Sequence, residues 1–485
     1  MTRDVEILFG PPGTGKTTAL IHAVELAMQD GTPPERIAYV AFSRKAAHEA
    51  KARALTKFSS LAAADLTWFR TLHATAYHRL ALRKGQVLTT QDFAAIGKDL
   101  GLTFRGHYES EWGLMEGGSL GDRCLAVVAL ATATRRTIRD TLHHMNLDRT
   151  PLEYVERFAD ALTRYKTGRD CLDFSDMLDR DQGGALDVDL FILDEAQDLT
   201  PQQWDYAKRL GAKARTVMIA GDDDQSIFTF QGADAKRMLR IAGERRVLPI
   251  SYRLPVTVKR FADELIANVP AHERAPKTFY PQSRQGSVNH VRDVSDCDLL
   301  QGQWLLLCRH RIQLHKLEAE CRAQGIVYKR GGTWSNETDE VRAVLLYERL
   351  RAGGTIKRAE WEIIRPFCTG ELPRGEAMQV SWDDVTWPFE GKPDWMTGLG
   401  RLSAAEREYI RELRRRGESL TKPGRVEIST IHSAKGGEAP NVYLDWTPND
   451  RVRRAMRVDP ADEWRVRYVG ATRAKENLYV RSTAH

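Results

Sequence analysis

The sequence predicts an α/β fold, two domains of doubly wound parallel sheet with mainly helical insertions, and three observations predict it. Short, near-continuous apolar runs recur along the chain: Val5–Phe9, Ile37–Phe42, Asp189–Leu193, Thr216–Ala220, Val247–Ile250, Trp304–Cys308, Val426–Ile431, Asn441–Trp446 and Leu478–Val480. Unbroken apolar strands mark a sheet buried on both faces. Helical stretches separate the runs, as the crossovers of parallel strands require. A chain of 485 residues also exceeds what one ordinary core holds.

In chain order, the first core domain is expected over residues 1–75 and 166–245, interrupted at 76–165 by a helical insertion rich in Arg, Leu and Ala. The second is expected over 246–350 and 425–485, with a small insertion at 351–424. That insertion carries a Trp/Pro patch (Trp382, Trp387, Pro388, Pro393, Trp395), followed by the charged helix Ser403–Arg416. No fixed-period repeat or long low-complexity tract interrupts the pattern.

Composition narrows the class without naming a partner. Apolar residues make up 42% and charged residues 28%, the balance of a soluble globular protein. No uncharged apolar run is long enough to span a bilayer, and the start MTRDVEILFG lacks the features of a signal peptide. A cytoplasmic location is expected, with no membrane partner. The six cysteines are scattered without a CxxC pair, so they read as reduced structural thiols rather than metal ligands. The net charge of +6 suits a polyanionic partner but also simple solubility.

The segment Gly10, Pro11, Pro12, Gly13, Thr14, Gly15, Lys16, Thr17, Thr18 fits GxxxxGK[ST] between an expected strand and an expected helix. Such a loop turns successive N–H groups toward a phosphate, and the helix N-terminus favours its charge. Lys16 would reach the β and γ phosphates, and Thr17 would ligate Mg²⁺. The apolar run ending in Asp194 and Glu195 supplies the acidic half: Asp194 to hold the magnesium, Glu195 to orient and deprotonate water. Taken alone, an Asp-Glu pair after a strand is more often a helix start, where carboxylates favour the dipole.

Further motifs follow in order: AFSRKAAHEAK (Ala41–Lys51), FRTLHATAYHRL (Phe69–Leu80), DFSDML (Asp173–Leu178), DEAQDLTPQQW (Asp194–Trp204), GDDDQSIFTFQGA (Gly221–Ala233), LPISYRLP (Leu248–Pro255), QGIVYKRGG (Gln324–Gly332), ISTIHSAKGGE (Ile428–Glu438) and YVGATRAKENLYV (Tyr468–Val480). Together with the P-loop they resemble the UvrD/Rep/PcrA group of superfamily 1 DNA helicases, nearly end to end apart from the two insertions. The resemblance implies two RecA-like core domains, the cofactors ATP and Mg²⁺, and 3′→5′ translocation by a monomer on single-stranded DNA, with unwinding of 3′-tailed duplex DNA. It implies that Arg253 and Arg473, both expected on the second core, stabilise charge on the γ-phosphoryl group across a cleft. A forked guanidinium suits that task better than lysine. It also implies that Gln225 senses the γ-phosphate, Tyr252 stacks on adenine and Glu438 contacts ribose. Phe42, His73, Phe230 and His432 match positions that touch the single strand, where stacking is worth about 1–3 kcal/mol per base.

Four departures, the last a short second insertion, qualify the resemblance. The adenine-reading glutamine upstream of the P-loop has no counterpart, Gln231 replaces an arginine, and Phe230 stands where the family usually has Trp. The second insertion is short, so a compact form with a reduced accessory domain is expected. A translocase that strips proteins while barely unwinding, or a recruitment module without catalysis, are the alternative readings. The twelve residues after Arg473 leave little room for a fused nuclease.

Overall fold

The computed structural model describes residues 4–104, 118–145, 147, 150–372 and 378–482. The chain divides into two units. The first takes residues up to Leu254 together with Asp263–Gln282 and Asp459–Tyr468; the second takes Pro255–Ala262, Ser283–Val458 and the residues from Val469 onward.

In the first unit, β1 (Asp4–Phe9), β2 (Ile37–Ala41), β3 (Phe69–Thr71), β4 (Leu190–Asp194), β5 (Thr216–Gly221) and β6 (Glu244–Val247) form one sheet. The order is β3-β2-β4-β5-β1-β6, and every pairing is parallel. Side chains alternate between faces along each strand, and both faces are covered. Phe9, Val40, Leu193 and Ile219 pack with Trp204 and Leu210 on one face. Leu8, Tyr39, Ile192 and Met218 pack with Leu20, Ile21 and Val24 of the helix Lys16–Gln29 on the other. This two-sided burial is why β2 and β4 read as unbroken apolar runs.

The last strand departs from expectation. The run Val247–Ile250 was expected to be a buried strand, but β6 is Glu244–Val247 and largely exposed. It lies at the sheet edge, where its charged side chains protect an open hydrogen-bonding face. Within residues 76–165, helices Thr90–Leu100, Leu120–Thr134, Ile138–His144 and Leu152–Arg169 enclose a core of their own around Phe93, Leu125, Phe158 and Leu162. Residues 105–117 of that insertion lie outside the described residues.

The second unit contains β7 (Ser287–Val291), β8 (Trp304–Cys308), β9 (Tyr328–Arg330), β10 (Thr333–Trp334), β11 (Ile356–Lys357), β12 (Gln379–Val380), β13 (Val426–Thr430), β14 (Ala439–Asp445) and β15 (Ala474–Arg481). Seven of them form a sheet in the order β10-β9-β13-β8-β14-β15-β7, parallel except for the β9–β10 pair. Strands β11 and β12 pair separately, within the region expected as the small insertion. There Trp361, Trp382 and Trp395 are buried with Tyr347, and Trp382 and Trp387 stack with ring centroids 4.5 Å apart. Residues 373–377 lie outside the described residues. The six cysteines are buried and free; burial raises the Cys297 and Cys308 thiols to about 12.

Three stretches expected in the second core fall in the first unit: residues 246–254, Asp263–Gln282 and Asp459–Tyr468. For the first stretch the cause is backbone pairing beside the P-loop. Leu248 N donates to Phe9 O, Ser251 Oγ to Pro12 O at 2.7 Å, and Tyr252 N to Gly13 O at 2.8 Å.

Candidate active site

The candidate nucleotide-site residues of the first unit gather at the carboxyl ends of its parallel strands, where open sheets of this kind bind ligands. β1 ends at Phe9, and Gly10–Thr14 turn the chain into the helix Lys16–Gln29. Gly13 and Gly15 adopt left-handed φ values of 72° and 77°, which glycine takes without the Cβ penalty. Gly15 caps the helix with no side-chain hydrogen bond, and the first turn holds no acidic residue. The N-terminal N–H groups of that helix thus have no side-chain cap in their way, the condition for binding an anion. The loop is tight: a Cβ on Gly10 would lie 2.8 Å from Lys16 Cβ, and one on Gly13 only 2.2 Å from Arg253 Cβ. Pro11 and Pro12 are buried, and Thr14 Oγ1 donates to Pro11 O at 2.8 Å. Thr17 lies in the first helical turn, and Thr18 Oγ1 accepts from Arg53 at 3.3 Å.

β4 delivers the acidic pair. Lys16 Nζ donates to Asp194 Oδ1 at 2.7 Å and also to Glu195 Oε1. Tyr39 OH donates to the other Asp194 oxygen at 2.6 Å. Glu195 takes a left-handed φ of 55°, turning the chain sharply after β4, and its N–H donates back to Asp194 at 2.8 Å. Burial alone would lower the Lys16 ammonium, but the Asp194 and Glu195 carboxylates outweigh it and hold it above its usual range. A lysine bridging both acids, beside uncapped helix N–H groups, is a set that fits a triphosphate with its magnesium. Thr17 and Asp194 would supply the metal's oxygen ligands.

Hydrogen bonds connect this pair to the end of β5. Gln197 Nε2 donates to Glu195 Oε2 at 2.5 Å and to Asp198 at 3.1 Å, and its Oε1 accepts from Asp222 N at 3.0 Å. Gln225 Nε2 donates to Asp222 Oδ2 at 2.8 Å. Sequence reasoning assigned no role to Tyr39, Gln197 or Asp222. Gln197 and Asp222 lie inside motifs already quoted, whereas nothing about Tyr39, one position in an apolar strand, distinguishes it.

The remaining nucleotide candidates divide between the units. Tyr252 is 72% exposed, and a Cβ on Gly15 would lie 3.8 Å from its ring, so the ring stands beside the phosphate loop as an open platform. Arg253 was expected on the second core but falls in the first unit, because Ser251 accepts from its N–H at 3.3 Å while donating to the P-loop. Arg473 and Glu438 belong to the second unit. Arg473 is 1% exposed and donates to Val469 O at 2.9 Å, Gly437 O at 3.3 Å and Thr472 Oγ1 at 3.2 Å. Glu438 accepts from Lys475 at 3.1 Å.

Three of the strand-contact candidates lie in the first unit and one in the second. Phe42, partly buried just after β2, packs on Phe228 with centroids 6.0 Å apart, and Phe228 packs on Phe230 at 6.3 Å. Phe230 is 50% exposed, at the open end of this aromatic row. His73 lies edge-on to Phe174, and burial lowers its imidazole to about 4, so it is neutral at physiological pH. In the second unit, His432 is half-buried in the turn after β13, its carbonyl accepting from Lys435 N.

Two known families match parts of the chain. Residues 1–231 match the AAA domain family, and residues 408–485 match the UvrD-like helicase C-terminal domain family. Together the two matches make the chain similar to the UvrD-like superfamily 1 helicases. Among its relatives is the ATP-dependent DNA helicase UvrD2 of Mycobacterium tuberculosis, 24% identical over 96% of this chain and 75% of UvrD2. The ATP-dependent DNA helicase Rep of Escherichia coli K12 is 23% identical over 59% of each chain. The ATP-dependent DNA helicase PcrA of Leuconostoc citreum is 24% identical over 60% of this chain and 41% of PcrA. The chain thus spans most of one relative and about half of the others. Among the described residues no helix is long and apolar enough to cross a membrane.

Proposed function

We propose that this chain is an ATP-dependent DNA helicase: it hydrolyses ATP to move 3′→5′ on single-stranded DNA and unwinds 3′-tailed duplex. The observation that carries the reading is the Lys16 ammonium bonded to both Asp194 and Glu195 at the mouth of an uncapped phosphate loop. Phosphoryl transfer asks a protein mainly for positioning and for charge aimed at the γ-phosphate. Lys16 supplies positive charge, Glu195 orients water and takes its proton, and Gln225 directs its amide to the γ-phosphate. Arg253 and Arg473 are proposed to stabilise the charge that develops there. Tyr252 and Glu438 are proposed to hold the nucleoside. Magnesium, held by Thr17 and Asp194, would add Lewis-acid stabilisation of the phosphates. Phe42, His73, Phe230 and His432 are proposed to line the path of the DNA, the aromatic rings giving the bases surfaces to stack on and leave.

The experiment is strand separation on duplexes with a 3′ tail, a 5′ tail or blunt ends, with ATP and Mg²⁺. Unwinding of the 3′-tailed duplex alone supports the reading, and preference for the 5′ tail contradicts its polarity. A second reading, a translocase that displaces bound protein with little unwinding, is favoured by the small size of the Trp-rich insertion. It predicts ATP-driven displacement of protein from a 3′-tailed strand with all three duplexes left intact.

A further inference from the structure

Beneath the motif that follows β5 lies a buried ionic cluster. Asp222, Asp223 and Asp224 are 1%, 0% and 2% exposed. A lysine distant in sequence closes on all three. Lys277, its side chain 2% exposed, places Nζ 2.9 Å from Asp222 Oδ1 and 2.9 Å from Asp224 Oδ2, and it also contacts Asp223. Arg274 makes a forked pair with Asp224, at 2.7 and 2.9 Å, and Ala275 N donates to Asp223 at 2.9 Å. Every member lies in the first unit.

A buried carboxylate without a partner is strongly disfavoured, so three side by side demand cations. Burial would lower the Lys277 ammonium, but the three carboxylates hold it above its usual range. The three acids are not equivalent. Asp224 has Arg274 as well as Lys277, and Asp223 has the Ala275 N–H. Asp222 uses one carboxylate oxygen for Lys277 and the other for the Gln225 amide. Its own N–H meets Gln197, which in turn holds Glu195. The Asp222 carboxylate is therefore the joint between the buried lysine and Gln225.

We propose that Lys277 is a positioning residue for ATP hydrolysis: by holding the Asp222 carboxylate it fixes the Gln225 amide. This rests on the proposed ATPase activity. A lysine that only neutralises buried charge would support folding but would not act through Gln225.

The test is steady-state, single-strand-stimulated ATPase of the full chain carrying Lys277→Met, Gln225→Ala or both. Lys277→Met should lower kcat about tenfold or more while KM for ATP stays within about threefold. In the Gln225→Ala background the same substitution should cost less than about threefold further, because the group it positions is gone. Lys277→Met/Asp223→Asn keeps the charge balance and should unfold cooperatively while retaining the kcat loss. Asp222→Asn, which leaves Lys277 its other two partners, should show the same split between kcat and KM. Losses that multiply independently of Gln225, recovery of kcat in the charge-balanced pair, or normal kcat in Asp222→Asn would each overturn the proposal. Any of these in an active enzyme removes only the positioning role; an unsubstituted chain without turnover removes the ATPase reading as well.

Discussion

Single side chains carry most of the chemistry, and the two most exposed to test are Lys16 and Glu195. Lys16→Ala should abolish measurable hydrolysis, because it removes the phosphate-directed charge and leaves Asp194 and Glu195 facing each other unneutralised. Glu195→Gln should bind ATP near normally while kcat falls by about 10²–10⁴-fold, the usual range for losing a general base. Equilibrium binding beside turnover separates the two variants. His73 makes a pH prediction. Its imidazole titrates near 4 in the fold against an ordinary value of 6.5. The unfolded chain therefore takes up the extra proton between those values, so this stabilisation is complete above pH 6.5 and is lost as pH falls toward 4. With its partial exposure allowed for, the loss is on the order of 2 kcal/mol. A His73→Gln variant should show a shallower decline of unfolding free energy over that range, and an NMR midpoint at or above 6.5 would contradict the assignment. At this scale the P-loop and the acidic pair are legible in the sequence because their chemistry fixes their spacing. Tyr39 and Lys277 are not, since each acquires its role only when distant chain segments meet.

Elements convert those residues into a site by fixing where strands end. The loop after β1 must take left-handed turns at Gly13 and Gly15, and a side chain at Gly13 would also strike Arg253. Gly13→Ala should accordingly weaken ATP binding by at least about tenfold, from a strain of about 1–2 kcal/mol plus the collision. Titration with a fluorescent ATP analogue measures it. The aromatic row Phe42–Phe228–Phe230 changes from packed to open along its length. Phe230→Ala should weaken single-stranded DNA binding by about 1–2 kcal/mol while changing unfolding free energy by less than about 0.5 kcal/mol. Fluorescence anisotropy and denaturant unfolding check the two halves, and an unfolding loss of several kcal/mol with DNA affinity intact would put the ring in the core. Apolar strands buried on both faces were readable, β8 to the residue. The three-residue β3, the polar and half-exposed β7 and the charged edge strand β6 lack the apolar run that identifies a strand from sequence.

Across the whole molecule, each unit is built on its own largely parallel sheet, while the chain assigns segments to them in an order that local sequence does not reveal. Arg253 lies near the expected domain boundary, yet its neighbours Ser251 and Tyr252 hydrogen-bond to the P-loop and bring it into the first unit. Asp263–Gln282 joins the same unit and carries Lys277 beneath Asp222. Hydrophobic periodicity reports which residues are buried but not which sheet they are buried against. The central claim is that the Lys16–Asp194–Glu195 site hydrolyses ATP in response to a bound DNA strand. The most direct measurement is ATP turnover by the full chain, with and without single-stranded DNA, beside its Glu195→Gln variant. The account predicts turnover that rises at least about tenfold with DNA and is lost in the variant. Turnover indifferent to DNA, or a fully active Glu195→Gln chain, would contradict it.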